Sequence, residues 1–583
     1  MRLALVLVAL AVIRETQAAD LVEPVVVRSV GGALSETIAV RAYEYAAAAP
    51  SALAFKTRGY FGSSETASAG ATLGSLKIGP TLRFSAGDVV RVTVVNELGA
   101  NADSAVMNTF HTPNTTNLHV HGLHVSSYDP MDNVMVKIEP GENRTYEYDV
   151  IGDHAAGTHW YHAHSHGSTA IQTGGGMVGV IVVEDAVDEI PSSLASVDEK
   201  ILFVQYMQFG DIVNIAGRAS MSEAWTSTST GTPAGTAHFT VNGQYAPTIK
   251  IDQNEWTRLR IVFSSLNKVV KFQLSSAAAG LGCEWKLLAK DGIYVQNAPR
   301  ALSSVYLAPG NRVDILIRCS SVGTFEVDSV AVTGPSFVGA VAGALNFQVV
   351  ASSSILTSIN TFTAKRPNYL ATITSYGGSG PTETHDFRFQ GQGPPVGRRR
   401  LLQGGPQGPQ GPGVCTISYD NAAQTLYTGS SLGSVAAGTV QTWRLGGSNT
   451  HPFHVHVNSF QLGAVTDTTS DANPYFVLGD WHDVNYQPPG VTIQTIYWHA
   501  ADFAGKVVTH CHFLDHEDQG CMAFFEIVGA NGTVVSDLVG SALVDGPSPP
   551  PSVSPPAANP PSSSAAFEGS FSLLLLIAVA SFV

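Results

Sequence analysis

The sequence predicts an all-β chain of several domains, and three observations carry that prediction. Its 583 residues exceed what one ordinary core holds and point to three or four domains. Charged residues make up only 13% while glycine (57) and proline (31) are plentiful, a mix that favours short strands and many turns over helices. The third observation is the placing of the histidines. Four pairs share a two-residue spacing: His119/His121, His162/His164, His454/His456 and His510/His512. In a β-strand, residues i and i+2 point to one face, so each pair offers two imidazoles side by side. In the last pair Cys511 lies between the histidines and would face the other way.

Taken in order, residues 1–19 hold Arg2, an apolar run too short to span a bilayer, and Ala18-Ala19, the pattern of a secretory leader. Residues 21–45 and 79–97 carry apolar, partly alternating runs, and 79–96 read as strand, turn, strand. Residues 117–125 and 158–164 hold the first two histidine pairs on strand-like runs, and 177–184 add a closing strand. Residues 200–350 repeat this style without a histidine pair, with a turn at 240–244 and strands at 256–263 and 313–317. A spacer or substrate wall is the simplest role for that segment. Residues 375–413 are rich in Gly, Pro and Gln and read as a disordered loop inserted between strands. Strands resume at 439–528 with the last two pairs. Residues 547–564 are rich in Pro and Ser, and 571–583 are mostly apolar. That tail fits a lipid (GPI) attachment signal, a marginal membrane tail or a disordered end.

A net charge of −15 argues against a nucleic-acid partner. The chain has five cysteines. With Cys511 taken as a metal ligand, Cys283, Cys319, Cys415 and Cys521 remain for two disulfides in one of three connectivities. Cys283 with Cys319 is the first choice, because both lie in the middle segment. Asn114, Asn143 and Asn531 stand in glycosylation sequons.

A thiolate with two imidazoles favours copper in a trigonal electron-transfer site. Cys511 supplies the thiolate and His516 one imidazole. His451 supplies the other, because its odd offset from His454 turns it away from that pair. The eight paired histidines are enough for three more copper ions. A single His-x-His is usually an accident of packing, but four, one wrapped around a cysteine, are not. Zinc takes the same ligand types, yet ten histidines and a thiolate exceed one tetrahedral site. The long stretch between His164 and His451 means that the pairs meet only if the first and last domains pack together. His159 and His166 read as supporting residues. His111, His124, His154, His238, His385, His482 and His499 read as ordinary surface or packed residues.

In order and spacing, His119-Val120-His121-Gly122, Trp160-Tyr161-His162-Ala163-His164, His451-Pro452-Phe453-His454-Val455-His456 and residues 510–522 resemble the multicopper oxidases. That family includes laccases, bilirubin oxidases, ascorbate oxidase and the metallo-oxidases. The likeness covers most of residues 25–530. It implies three cupredoxin-like Greek-key β-sandwich domains, 20–190, 191–355 and 356–530, with a trinuclear copper cluster between the first and third. It also implies four copper ions. His451, Cys511 and His516 would hold the type 1 ion. His119 and His454 would hold the type 2 ion, and His121, His162, His164, His456, His510 and His512 the type 3 pair. In this reading Cys511 is the electron entry, and Glu517 and Asp132 supply protons for reducing dioxygen to water. At the axial position, where the family usually has Met, Leu or Phe, stands Cys521 followed by Met522. Three arrangements are open: Cys521 as a weak sulfur neighbour, Cys521 tied in a disulfide, or Met522 brought in by a bulge.

The functional expectation is a secreted or surface-attached oxidase of phenols or aromatic amines. The alternative is a ferroxidase or manganese oxidase. It would need carboxylates near His451 or His516, and Asp480, Asp483, Asp515 and Asp518 lie in the same domain. A Cu(I) oxidase would suit a methionine-rich insert, but the eight methionines form no cluster in sequence. A non-catalytic surface protein would show lost ligands, and none is lost.

Overall fold

The computed structural model describes residues 19–529 apart from 48–52, 103–104, 187–188, 219–236, 335, 355–357, 372–380, 382, 392–414, 421 and 424. The leader, the tail with its Asn531 sequon and most of the 375–413 insert therefore lie outside the described residues. Among the described residues, no helix is long and apolar enough to cross a membrane.

The strands form six sheets, packed in pairs. In the first sandwich, Val26–Arg28, Thr81–Phe84, Val178–Val183, Gly157–His162 and His119–His121 make one sheet, in that order. The other is made of Leu53–Gly62, Ala33–Ala47, Val89–Asn96 and Asn143–Asp149, with the short Thr72–Leu73 also paired to Ala33–Ala47. Alternation drives the pairing of the two. In Val89–Asn96, Val90, Val92 and Val94 are buried, while Arg91 is exposed. Those valines meet Leu82, Val120 and Ile181 of the facing sheet. Strands from Asp198–Met207 to Val341–Val350 make the second sandwich, with sheets of eight and five strands. The predicted turn joins His238–Val241 to Gln244–Tyr245. Asn242 and Gly243 both take positive φ there (50° and 79°), as a two-residue hairpin requires. Strands from Glu383–Gly391 to Met522–Val528 make the third sandwich, with sheets of six and five.

One expectation fails here. Glu383–Gly391, inside the segment read as a disordered loop, is a strand paired with Cys415–Tyr419 and Val440–Gly446. Phe387 and Phe389 alternate with Arg388 and bury against Trp443 and Phe453. A period-two pattern of two aromatics outweighs the glycine-rich flanks.

The sandwiches share cores. One buried apolar cluster runs through the second and third. A smaller one joins Ile78, Trp160 and Val178 of the first to Ile201, Phe203 and Val262 of the second.

Candidate metal centres

His119–His121 is an edge strand of the first sandwich. It pairs antiparallel with Gly157–His162 so that His119 lies opposite His162. In the third sandwich Phe453–Val455 pairs with Gly505–Cys511, setting His454 opposite His510 and Phe453 opposite Cys511. The two-residue alternation then sorts the side chains. His454 and His510 face the first sandwich, while Cys511 and Phe453 turn into the third sandwich's own core.

The two histidine edges meet. His119 stacks on His456 with ring centres 3.9 Å apart, and His121 on His454 at 4.0 Å. His164 meets His510 edge-on at 4.9 Å, and His121 meets His512 at 5.0 Å. All eight rings are buried. Burial, together with mutual repulsion at most of them, pushes their protonation down: His454 to about 3, His164 to about 4, and the other six well below the usual imidazole range. Neutral imidazoles are metal ligands.

The nitrogens fit a set of cations. His119 Nδ1 bonds Asp132 Oδ2 at 2.8 Å, His162 Nδ1 bonds the Ala163 carbonyl at 3.0 Å, and His454 Nδ1 bonds the Asp483 carbonyl at 2.8 Å. Each of these rings is left with a buried Nε2 that has no partner. A buried bare nitrogen is costly unless something positive faces it. Elsewhere nitrogens face one another: His164 Nε2 and His510 Nε2 at 3.3 Å, His456 Nε2 and His510 Nε2 at 3.4 Å, and His121 Nδ1 and His512 Nε2 at 3.3 Å. With His510 Nδ1 turned to the Cys511 carbonyl at 3.0 Å, its Nε2 carries a lone pair toward His164 and His456.

Both residues assigned to proton supply border this cluster. Asp132 also accepts from the Val120 amide at 2.9 Å, so it fixes strand and ring together. Glu517 is fully buried, with Oε1 3.3 Å from His164 Nδ1 and Oε2 3.3 Å from His510 Nδ1. Burial and the neighbouring Asp518 push its carboxyl well up. Asp518 accepts from the amides of Gly167, Thr169 and Ala170, and burial pushes it up to about 7.

The middle sandwich is more than a spacer, which corrects the sequence reading. Gly310 takes φ +92°, and a Cβ there would lie 3.0 Å from both His121 and His512. Arg312, fully buried, donates to both oxygens of Asp483 at 2.7 and 2.5 Å and to the Thr158 carbonyl at 3.2 Å. Asp483 Oδ1 lies 3.3 Å from His121 Nε2. One arginine thus ties all three sandwiches to the cluster. Neither Arg312 nor Gly310 belongs to a ligand motif. Both lie within the part of residues 25–530 that the likeness covers, in the segment 308–317.

The second centre lies inside the third sandwich. Cys511 Sγ is 3.5 Å from His451 Nδ1 and 3.6 Å from His516 Nδ1, and the two nitrogens are 3.1 Å apart. The centre of such a triangle lies about 2 Å from each corner, a metal–ligand bond length. Burial pushes the Cys511 thiol up, so a thiolate there calls for a cation. His451 is buried and His516 partly exposed. Cys283 bonds Cys319, and Cys415 bonds Cys521. The sulfurs of Cys415, Cys511 and Cys521 and a His451 nitrogen all lie within 4.8 Å of one another, so a disulfide borders the triangle. Met522 is not at the axial place. It packs with Val134, Val508 and Phe524 on the opposite face.

Of the four carboxylates considered as metal-ion ligands near this centre, three are engaged elsewhere. Asp480 pairs with Lys290 and Arg300, Asp483 with Arg312, and Asp518 with three amides. Asp515 Oδ2 accepts from Asn267, while its buried Oδ1 has no partner. Of the other histidines, His159 packs against Gly292, while His124, His385 and His482 pair with Asp502, Asp420 and Asp291. Asn114 of the first sequon is tied to Arg58 and to the Gly99 carbonyl, whereas Asn143 is exposed.

Two multicopper oxidase family models match the chain, over residues 63–188 and 406–530. A multicopper oxidase of Staphylococcus haemolyticus is 29% identical over 254 residues, 43% of this chain and 49% of that one. The bilirubin oxidase of Albifimbria verrucaria is 23% identical over 411 residues, 68% of this chain and 64% of that one. The match thus spans about half the length of the staphylococcal relative. A solved multicopper oxidase from Campylobacter jejuni, titled a metallo-oxidase, shares the fold with a TM-score of 0.61 at 19% identity, over 88% of this chain and 95% of that one. The fold is that of the cupredoxin-like multicopper proteins, with a buried histidine set and a partly exposed second set joined through one cysteine. The chain belongs to the multicopper oxidase family, whose members hold several copper ions.

Proposed function

We propose that the chain is a four-copper oxidase that takes single electrons from a phenol or aromatic amine and reduces dioxygen to water. His451, Cys511 and His516 hold the type 1 ion, His119 and His454 the type 2 ion, and the other six paired histidines the type 3 pair. Bound copper would supply the one-electron redox steps and the storage of four electrons. The protein's share is geometry and protons. His516, partly exposed, is the edge at which a donor approaches. Cys511 is bonded through the backbone to His510 and His512, giving a short covalent path from one centre to the other. Glu517 holds a proton at Oε1 or Oε2 beside His164 and His510, and Asp132 orients His119.

The observation that carries this reading is the convergence of all eight paired histidines in one buried site, with Cys511 on the far side of the same strand. An organic donor is favoured over Fe(II) or Mn(II) because Asp480, Asp483 and Asp518 are committed elsewhere, which leaves beside His516 only Asp515, one buried carboxylate with a single unpartnered oxygen. The leader-like first residues and two disulfides support a site of action outside the cell, with the apolar tail as a surface attachment. The test is oxygen consumption by the copper-loaded protein with a phenol, Fe(II) and Mn(II), beside a Cys511→Ser control. Uptake with the phenol, water as product and a dead control are expected. Uptake with Fe(II) alone would replace the substrate, and no uptake with any donor would remove the oxidase reading.

A further inference from the structure

A pocket of about 310 Å³ opens beside the histidine cluster, on the face away from Cys511. Three of the chain's eight methionines line it, Met107, Met135 and Met522, together with His111 and His166. They come from separate stretches of chain, so no methionine cluster shows in the sequence. Met107, 54% exposed, stands where the pocket meets the surface. His164, one of the eight cluster histidines, forms part of the wall.

Two of the lining imidazoles each keep a nitrogen without a proton. His166 Nε2 bonds Asn108 Oδ1 at 3.2 Å, so Nε2 carries the proton and Nδ1 is bare. Nδ1 is also buried and without a partner. His111 Nδ1 bonds the Thr109 carbonyl at 2.7 Å, which leaves its Nε2 bare as well. The two ring centres lie 6.4 Å apart, against 4.9–5.7 Å for several pairs in the main cluster. Tyr427 donates to Met135 Sδ at 3.6 Å, orienting the thioether and leaving its other lone pair.

We infer that this pocket is a further metal site, built for Cu(I), from which copper passes to the histidine cluster through His164. Thioether and imidazole are soft, neutral ligands that select Cu(I) over Cu(II) and Zn(II). No carboxylate lines the pocket, and Lys137 at its wall disfavours a divalent ion more than a monovalent one. His164 lies in both walls, since its Nε2 is also 3.3 Å from His510 Nε2.

The test starts from copper-loaded protein, reduced without oxygen and titrated with Cu(I) against a chromophoric Cu(I) chelator. Redox-silent Ag(I) serves as a second probe. One tightly held equivalent beyond the loaded copper is expected, weakened at least tenfold in Met107→Leu and lost in Met107→Leu/Met135→Leu. Met107 is exposed, so the single variant reports even if the double one folds poorly. Apo-protein given Cu(I) should fill the cluster about tenfold more slowly in Met107→Leu, to the same final copper content. Absence of the extra equivalent, or equal binding by wild type and Met107→Leu, overturns the site. Equal filling rates with the equivalent present overturn the handover.

Discussion

The two centres are built on opposite plans. The histidine cluster exists only where sandwiches meet. His121 faces His454 and His512 across the first and third, and the second pins them through Gly310 and Arg312. All eight of its rings are buried. The Cys511 centre is local: His451, Cys511 and His516 all come from the third sandwich, with one histidine partly exposed. The contrast follows from the work proposed for each. A site that meets large donors needs an edge in solvent, whereas a site that completes a four-electron reduction needs closure and a proton store.

If this contrast holds, damage to the assembly should strike one centre and spare the other. Arg312→Met is expected to have the largest effect. It leaves the Asp483 carboxylate buried and unpaired, at a cost of about 3–5 kcal/mol, and frees His121 and His454 from their common support. Copper analysis and EPR should show cluster copper lost while the blue absorption of the Cys511 centre persists. Gly310→Ala should act the same way more mildly, because its Cβ meets His121 and His512 at 3.0 Å in a positive-φ backbone. Loss of both centres together would break the comparison.

Glu517→Gln keeps the shape and removes the proton. Reoxidation of the reduced protein by dioxygen, followed by stopped flow, should slow about 10²–10⁴-fold, while reduction of the Cys511 centre by donor is unchanged. The pH dependence follows the direction of the shifts. Burial raises Glu517 and takes Asp518 up to about 7, so the pair still holds a proton near neutrality and loses it as pH rises. The oxygen half-reaction should therefore slow above about pH 7 in wild type, and Glu517→Gln should flatten that decline. An unchanged profile in the variant would move the proton store elsewhere.

The ligands were legible in the sequence because strand alternation is local. A histidine at i and i+2 shares a face whatever the rest of the chain does, and Cys511 between two histidines must face away from them. Residues that reach a centre only through tertiary packing were not legible. Asp483 had been weighed as a carboxylate for the Cys511 centre, yet it sits at the histidine cluster, held by an arginine from another sandwich. Nothing near Arg312 in sequence announces that contact. The strand Glu383–Gly391 was hidden by its glycine-rich neighbours, although Phe387 and Phe389 carried the period. His111 looked ordinary and His166 a supporting residue of the second pair, because their methionine neighbours are distant in sequence.

The Cys415–Cys521 disulfide supports the smallest prediction and tests how local the Cys511 centre is. It closes a separation of 106 residues, so breaking it should cost about 2–5 kcal/mol by either of two routes. Cys415→Ser leaves a free Cys521 thiol within reach of the Cys511 triangle, whereas Cys415→Ala/Cys521→Ala leaves none. Stability should fall equally in both, so any difference between them reports on the sulfur alone. A second thiol beside a trigonal His2Cys ion is a candidate axial ligand, and the axial ligand tunes the potential of such an ion. Cys415→Ser should therefore change the thiolate-to-copper absorption and the potential. The double variant should keep the wild-type band, and both should retain cluster copper and oxygen uptake within about tenfold. Identical spectra in the two variants would mean that the disulfide acts on this centre only as a tether.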